Sequence, residues 1–276
     1  MVQSLLSSYK DVVHVLPVSR ITAEELHDVL NMIIIGLEDA GIHVVAVITD
    51  NSINRKMMTM SGKKGAKLDI VYSHPTNAHQ TLFRVLDSVH LLKRVRNNWL
   101  NHKNSVKCLY YTTFQSDSPN SGKMEGASFS SLRELHEAEQ SSIAKVAYGL
   151  THKALYPSNL ERQNVRLALK VFSGFVSAAL RIRGEELRLR VAEGTAQFID
   201  IIVKWWDIVD VKRPHKDQRL RNVWQEPVSE VNCHQLKYLD EFVDWLDSWK
   251  AADQYTGKLT TETHSALPQT TYVRSH

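Results

Sequence analysis

Apolar residues recur with helical spacing in the stretch that follows Thr22. The positions concerned are Leu26, Val29, Leu30, Ile33, Ile34 and Leu37. They follow the i, i+3, i+4 spacing of one side of an α-helix. Thr22 stands where an N-cap is expected and two glutamates follow it, while Gly41 suits the position just after a helix end. The pattern therefore predicts an amphipathic helix between Thr22 and Gly41.

Three apolar runs outside this helix predict β-strands. They cover residues 12–16, 43–49 and 81–86. The run at 43–49 is almost entirely apolar, which predicts a strand that is buried on both faces of a sheet. Because three strands make a thin sheet, we expect further strands to come from elsewhere.

After residue 90 the pattern changes from alternating elements to helices. Residues 91–100 predict a basic amphipathic helix, whereas residues 115–128 are polar and contain glycine and proline, which predicts a linker. Helical periodicity then covers residues 131–156, 160–182, 192–209 and 234–249. The predicted fold class is α/β followed by a mainly α-helical domain.

Composition and charge exclude several classes of protein. The chain of 276 residues is 43% hydrophobic with only 11 glycines and 7 prolines, which excludes collagen-like and wholly disordered chains. Two cysteines exclude a secreted disulfide scaffold and favour reduced thiols inside a cell. No apolar run approaches the roughly 18–20 residues of a membrane-spanning helix. Residues 1–10 lack the pattern of a signal peptide.

Asp50 is the first candidate for chemistry. It follows the strand predicted at 43–49, and ligands in open α/β sheets collect at the carboxyl ends of strands. A carboxylate in this position suits a divalent metal ion, which prefers oxygen ligands. The alternative is an ordinary turn, because Asp50-Asn51 is also common turn chemistry.

A second candidate combines Asp87 and His90 with the cations Lys93, Arg94 and Arg96. Two side chains that can bind a metal and three positive charges lie within a few helical turns, which suits the binding of nucleic-acid phosphates. The alternative is a helix that begins with Asp87 as its N-cap and presents a solvated basic face.

The third candidate lies near the end of the helix predicted at 192–209. Asp207 and Asp210 are three residues apart and therefore share one side of a helix. An aspartate beside Trp206 could accept hydrogen bonds from the edge of a purine while the indole stacks on the base. The alternative is a core helix whose tryptophans pack inward.

Taken in order, these segments resemble the P-element type DNA transposases, including those that carry a THAP zinc finger. The resemblance covers nearly the whole chain, and the block from Asp87 to Asn97, which reads D-S-V-H-L-L-K-R-V-R-N, is its most specific part. The blocks that carry it are residues 44–54, 86–99, 160–172, 194–199, 205–207 and 258–263.

The resemblance implies a ribonuclease H-like domain that is interrupted by a helical GTP-binding insertion. Residues 1–92 would form part of the first, and residues 93–276 most of the second. The family joins DNA with a D-D-E carboxylate triad that holds two metal ions, here expected to be Mg²⁺. Asp50 matches the middle carboxylate, and it is therefore the catalytic and metal-binding residue that the resemblance implies.

The same resemblance assigns nucleotide-binding residues in the second part. It implies that Asp207 accepts hydrogen bonds from guanine and that Trp206 lies against the base. Asp210 stands where the family tends to have asparagine, and Asn164 stands where a lysine is more usual. Lys153 is a phosphate partner by the same alignment. Because the family does not obviously hydrolyse GTP, the chain is expected to bind it without acting as a GTPase.

The resemblance also implies limits on activity. The first aspartate of the triad belongs upstream of Val12 and the last glutamate beyond the block at 258–263, so we expect a catalytically incomplete protein. It also implies nuclear residence and leaves open DNA and a second copy of the chain as partners.

Two alternatives to nucleotide binding remain at this stage. One is a nonspecific DNA-binding or oligomerising remnant, in which Lys93, Arg94 and Arg96 contact phosphates. The other is an active nuclease that combines Asp50 with Asp87, which is disfavoured because no second acidic strand end is evident in the sequence.

Overall fold

The computed structural model describes residues 1–50, 70–102, 107–114, 124–211 and 222–249. The chain divides into two compact units, of which the first covers Met1–Asp87 and the second begins at Ser88. The division lies just before the predicted boundary after residue 92, which falls inside a helix, Ser88–Leu100. Among the helices of these ranges, none is both long and apolar enough to cross a membrane.

The first unit combines one helix with two small sheets. The short strands β1 (Val2–Gln3) and β2 (Lys10–Asp11) pair in antiparallel fashion. Helix α1 covers Ala23–Asp39. The second sheet consists of β3 (Ala46–Thr49), β4 (Val71–Ser73) and β5 (Thr81–Leu86). Strand β5 lies in the middle, parallel to β3 and antiparallel to β4.

Hydrogen bonds at both ends fix the bounds of α1, as the sequence predicts. Thr22 Oγ1 accepts from the backbone N–H of Glu25 at 3.2 Å, and the Glu25 carboxylate accepts from the backbone N–H of Thr22 at 2.8 Å. This reciprocal capping box lowers the pKa of Glu25, chiefly through the bond from the Thr22 backbone. Gly41 follows the helix with a φ of +77°, a conformation that glycine adopts without a steric penalty.

Two strand predictions in the first unit need correction. Residues 12–16 form no strand, because Asp11 ends β2 and its carboxylate accepts the N–H of Val12 at 2.7 Å in place of a ladder partner. The strand predicted at 43–49 is limited to β3 and is not buried on both faces, since Ile48 is 70% exposed. Its one pairing strand in the described sheet is β5.

The second unit packs helices around a β-hairpin. The hairpin consists of β6 (Cys108–Thr112) and β7 (Met124–Ser128), paired in antiparallel fashion. The helices are α2 (Ser88–Leu100), α3 (Phe129–Ala138), α4 (His152–Leu155), α5 (Val165–Val171), α6 (Gly174–Arg183), α7 (Ala192–Val209) and α8 (His234–Ser248). Single 3₁₀ turns cover Glu139–Ser141, Glu161–Gln163 and Val223–Gln225. A mixed fold with helices and sheets confirms the predicted class in its coarse form.

The predicted linker is wrong over its last five residues, which form β7. Residues 115–123 of that prediction lie outside the described residues. The helix predicted at 131–156 is also wrong as one element, because α3 ends at Ala138. The carboxylate of the buried Glu139 then accepts the N–H groups of Val146 and Ala147, both at 3.1 Å, and so holds a loop where the helix was expected.

The helix predicted at 160–182 is divided into a 3₁₀ turn and two helices. Asn164 caps α5 by accepting the N–H of Arg166 at 2.9 Å, and Ser173 caps α6 by accepting the N–H of Phe175 at 3.3 Å. Capping residues start new helices because their side chains satisfy N–H groups that a helix leaves without partners.

Trp99 lies at the centre of the core of the second unit. It is 1% exposed, and its indole N–H donates to the carbonyl of Ala127 on β7 at 2.9 Å. Its rings lie 5.2 Å from Phe129, 6.1 Å from Phe172 and 4.9 Å from Phe198. Helices α2, α3 and α7 are therefore joined to the hairpin through one aromatic side chain.

Helix α7 approaches the hairpin backbone closely at Gly194. A Cβ atom at this position would lie 2.4 Å from the carbonyl oxygen of Gly126 on β7. The Tyr111 hydroxyl donates to the Gly194 carbonyl at 2.6 Å, and the Ser128 N–H donates to Thr195 Oγ1 at 2.9 Å. The N-terminal end of α7 is thus packed closely against the hairpin, and the candidate site lies at the other end of the same helix.

Candidate functional site

Asp207 lies in the last turn of α7, and its carboxylate accepts two amide hydrogen bonds. Asn222 Nδ2 donates to Oδ2 at 2.8 Å, and Gln225 Nε2 donates to Oδ1 at 2.7 Å. The side chain of Asp207 is half-buried and that of Gln225 is 3% exposed. The carboxylate therefore presents two oxygens side by side to two nitrogen donors.

The segment opposite Asp207 is held from the other side by α8. Gln235 Nε2 donates to the carbonyls of Val223 and Glu226 at 3.3 and 3.2 Å. Gln225 Oε1 is buried and has no hydrogen-bond partner within the described ranges. A buried acceptor without a donor costs free energy of folding. A ligand that donates an N–H or O–H group to Gln225 Oε1 would remove this cost.

The geometry at Asp207 suits the edge of guanine. Guanine presents two adjacent donors, N1–H and the N2 amino group, and a carboxylate can accept both at once. Adenine lacks this pair of adjacent donors on its edge. The amides of Asn222 and Gln225 presently make the contacts that such a base would make.

The other residues predicted around the base have different surroundings. Trp206 is 7% exposed and belongs to the core of the second unit, whereas Trp205 is half-buried and stacks on Phe242 at 5.9 Å. Asp210 ends α7, and its N–H donates to the carbonyl of Trp206 at 2.9 Å. Contact of Trp206 or Asp210 with a base stays a prediction.

The predicted phosphate residues flank the loop between α4 and α5, with Lys153 on α4 and Asn164 at the N-cap of α5. Lys153 Nζ is 3.8 Å from Glu161 Oε1, and its side chain is exposed. The other carboxylate oxygen of Glu161 accepts the N–H and the hydroxyl of Ser158, both at 2.9 Å. Asn164 uses its side-chain oxygen to cap α5. In the described part of the chain, no hydrogen bond or ion pair joins Asp207 to Lys153 or Asn164.

The three cations predicted to bind DNA differ in burial. Lys93 and Arg94 are half-buried on α2, whereas Arg96 is fully buried. Arg96 Nε donates to Asn97 Oδ1 at 2.8 Å, and its Nη2 donates to the carbonyl of Arg162 at 3.0 Å. Arg96 therefore faces the interior of the second unit.

Asp50 and Asp87 follow neighbouring parallel strands of the first unit. Thr49 at the end of β3 is paired with Leu86 at the end of β5, and the N–H of Asp87 donates to the carbonyl of Thr49 at 2.9 Å. The sequence interpretation missed this second acidic strand end because it assigned Asp87 to a helix start. Across the described ranges, no group of three or more His, Cys, Asp and Glu residues could hold a metal ion.

Comparison with known proteins gives a consistent picture of the class. Residues 89–222 match the family described as the TNP-like, GTP-binding insertion domain. This match covers α2 to α7, including Asp207, and ends at Asn222.

Two relatives match a larger share of the chain than the family model does. The Transposable element P transposase of Drosophila melanogaster is 27% identical over 190 residues, which are 67% of this chain and 22% of that protein. The structure of the Drosophila P element transposase strand transfer complex has a TM-score of 0.62 at 22% identity, over 79% of this chain and 45% of that one. The chain is similar to P-element transposases, as its sequence predicts, and it spans about a fifth of the length of the curated relative that it matches.

Proposed function

We propose that the second unit binds GTP and that Asp207 reads the guanine edge. The two amide hydrogen bonds that its carboxylate accepts, at 2.8 and 2.7 Å, are the observation that carries the proposal. They support a preformed pair of acceptors for the N1–H and N2–H groups of guanine. The family match over residues 89–222 supports the same ligand.

When GTP binds in this way, N–H donors of the guanine base replace an amide donor of the protein at the Asp207 carboxylate. The base displaces the Asn222 amide from Asp207, and its amino group also offers a donor to the buried Gln225 Oε1. The exchange costs little, because a hydrogen bond between protein groups is replaced by one to the ligand. Mg²⁺ accompanies the triphosphate in this proposal, and cations of this kind commonly keep several water ligands there.

Calorimetric titration of the folded chain with GTP and with ATP in magnesium buffer tests the proposal. We expect selective binding of GTP and a loss of about 10- to 100-fold in affinity for Asp207→Asn, since a charge-assisted hydrogen bond contributes about 1.5–3 kcal/mol. Asp244→Asn, an exposed aspartate on α8, is the matched control. Equal affinity for GTP and ATP, or no binding by a chain with native circular dichroism, would contradict the proposal.

Asn222→Ala separates a binding role of Asp207 from a purely structural one. The variant removes the amide that competes with guanine, so GTP should bind about 3- to 10-fold more tightly, which corresponds to part of one hydrogen bond. If Asp207 serves only to hold residues 222–225 in place, Asn222→Ala should give no gain in GTP affinity.

We further propose that the first unit resembles part of a ribonuclease H-like domain and does not cut DNA on its own. The parallel pair β3–β5 with Asp50 and Asp87 at its ends supports a carboxylate edge of that type. Incubation with supercoiled plasmid and Mg²⁺ or Mn²⁺ should give no nicking. Nicking that Asp50→Ala removes and the exposed control Asp28→Ala retains would reverse this proposal. Nuclear residence, DNA binding and self-association stay predictions.

A further inference from the structure

Arg96 is a buried cation, and no carboxylate among the described residues forms an ion pair with it. It is fully buried in the second unit, and two of its nitrogens donate to Asn97 Oδ1 and to the carbonyl of Arg162. Its third nitrogen, Nη1, is buried and has no hydrogen-bond partner among the described residues. Buried guanidinium groups are nearly always paired, so the remaining N–H groups point to an anion.

Arg162 provides a second guanidinium at the same place. Its Nη1 donates to Asn101 Oδ1 at 2.9 Å, while its Nε is buried and lacks a hydrogen-bond partner within the described ranges. Burial and, to a smaller extent, the positive charge of Arg162 together lower the pKa of Arg96 to about 10. Each of these two like charges therefore has a buried nitrogen without a hydrogen-bond partner among the described residues, and the charge of Arg162 acts on Arg96.

The nearest acidic side chain along the chain is already engaged. Glu161 accepts two hydrogen bonds from Ser158 and forms the ion pair with Lys153. These contacts fix the 3₁₀ turn that carries Arg162, and Arg96 and Asn97 hold the same turn through its carbonyl at 3.0 and 3.3 Å. The two guanidinium groups are thus positioned by their surroundings without being neutralised.

We propose that Arg96 and Arg162 form a phosphate-binding site of the second unit. A guanidinium fork matches two oxygens of a phosphate, and two adjacent forks match the charge of a polyphosphate. Asn101 is exposed and Arg162 is half-buried, so Arg162 is the member of the pair that solvent reaches. This inference rests on the proposed function in assigning the phosphate to the triphosphate of GTP. Arg162 then supplies positive charge two residues before Asn164, where the family more usually has a lysine.

The test compares three phosphate-containing probes with one that has none. We would titrate the full chain with GTP, inorganic tripolyphosphate, a short DNA duplex and guanosine, and repeat each titration with Arg162→Gln. GTP and tripolyphosphate should bind at least 10-fold more weakly to the variant, whereas guanosine should bind equally. Arg166→Gln is the matched control, because Arg166 is exposed in the next turn and should change each affinity less than 2-fold.

Arg162→Lys keeps the positive charge but lacks the two parallel N–H donors of a guanidinium. Its affinity for GTP and tripolyphosphate should therefore lie between those of Arg162→Gln and wild type. A fall in DNA affinity alone would support the site and assign it to backbone phosphates. If the chain fails to bind GTP at all, tripolyphosphate still tests the site through its effect on the melting temperature of wild type and variant. Arg162→Gln that binds every phosphate probe within 2-fold of wild type, while remaining folded, would overturn the inference.

Discussion

The two units are stabilised by different kinds of interaction. The second unit has one continuous apolar core, in which Trp99, Tyr111 and Phe198 connect helices to a hairpin. In the first unit the sheet presents Ile48, Phe83 and other apolar side chains to solvent, at 70% and 47% exposure for these two. Its best-defined contacts are local hydrogen bonds, such as the capping box of α1. Dense burial and short-range hydrogen bonding thus stabilise neighbouring parts of one chain.

The largest expected effect tests the core of the second unit. Trp99→Ala removes the central ring and the hydrogen bond to Ala127, so it should cost about 3–5 kcal/mol in the free energy of unfolding. Val85→Ala, which shortens an exposed side chain in the first unit, should change the free energy by less than about 0.5 kcal/mol. Urea titration followed by circular dichroism measures both variants. Similar losses would show that the contrast between the units is wrong.

A smaller effect is expected from adding one methyl group in each unit. Gly194→Ala forces a Cβ against the carbonyl of Gly126 and should destabilise the second unit by about 1–3 kcal/mol. Gly36→Ala adds a methyl group in the last turn of α1, where no neighbouring atom outside the helix backbone lies within 4 Å, and should stabilise the first unit by about 0.5–1 kcal/mol. Thermal unfolding should therefore shift in opposite directions. A shift in the same direction would contradict the close approach at Gly194.

The smallest effect concerns the capping box of α1. Thr22→Ala should cost about 1 kcal/mol, because it removes the side-chain acceptor for the N–H of Glu25. Glu25 has a lowered pKa in the folded state, so its stabilising contribution is present above the ordinary value of 4.5 and is lost as the pH falls through the lowered folded pKa. Because Thr22→Ala keeps the backbone N–H that chiefly lowers this pKa, Glu25→Gln is the variant that should show a shallower loss of stability in acid, measured by urea titration between neutral and acidic pH. An unchanged acid dependence would exclude this role.

Local signals explain which elements could be predicted from the sequence. Helix α1 carries its N-cap, its apolar side and its terminal glycine within twenty residues, and all three hold in the structure. Strand β7 reads Met-Glu-Gly-Ala-Ser, without a β-branched or aromatic residue, and it exists because it pairs with β6 and packs against Gly194. No local pattern encodes such a pairing. Propensity alone therefore does not predict β7.

The candidate site divides in the same way. Asp207 could be named from its block of sequence, since its place in that block carries the resemblance. Its contacts with Asn222 and Gln225 lie 15 and 18 residues away and follow from tertiary packing. Arg162 gave no signal, because an arginine in a polar turn is ordinary until burial leaves its nitrogen atoms without partners. The sequence therefore predicts the chemistry of single residues, but it does not predict which of them lie close together in the folded chain.

The hairpin of the second unit also gives the molecule a built-in chemical probe. Cys108 on β6 is 2% exposed, and the Cβ position of Gly126 on β7 lies only 3.1 Å from its sulfur atom. Burial raises the pKa of the Cys108 thiol, which keeps it in its unreactive protonated form. Alkylation of Cys108 therefore requires the hairpin to open, whereas the half-buried Cys233 reacts without such opening. The ratio of the two labelling rates therefore measures how often the hairpin opens locally in the folded protein.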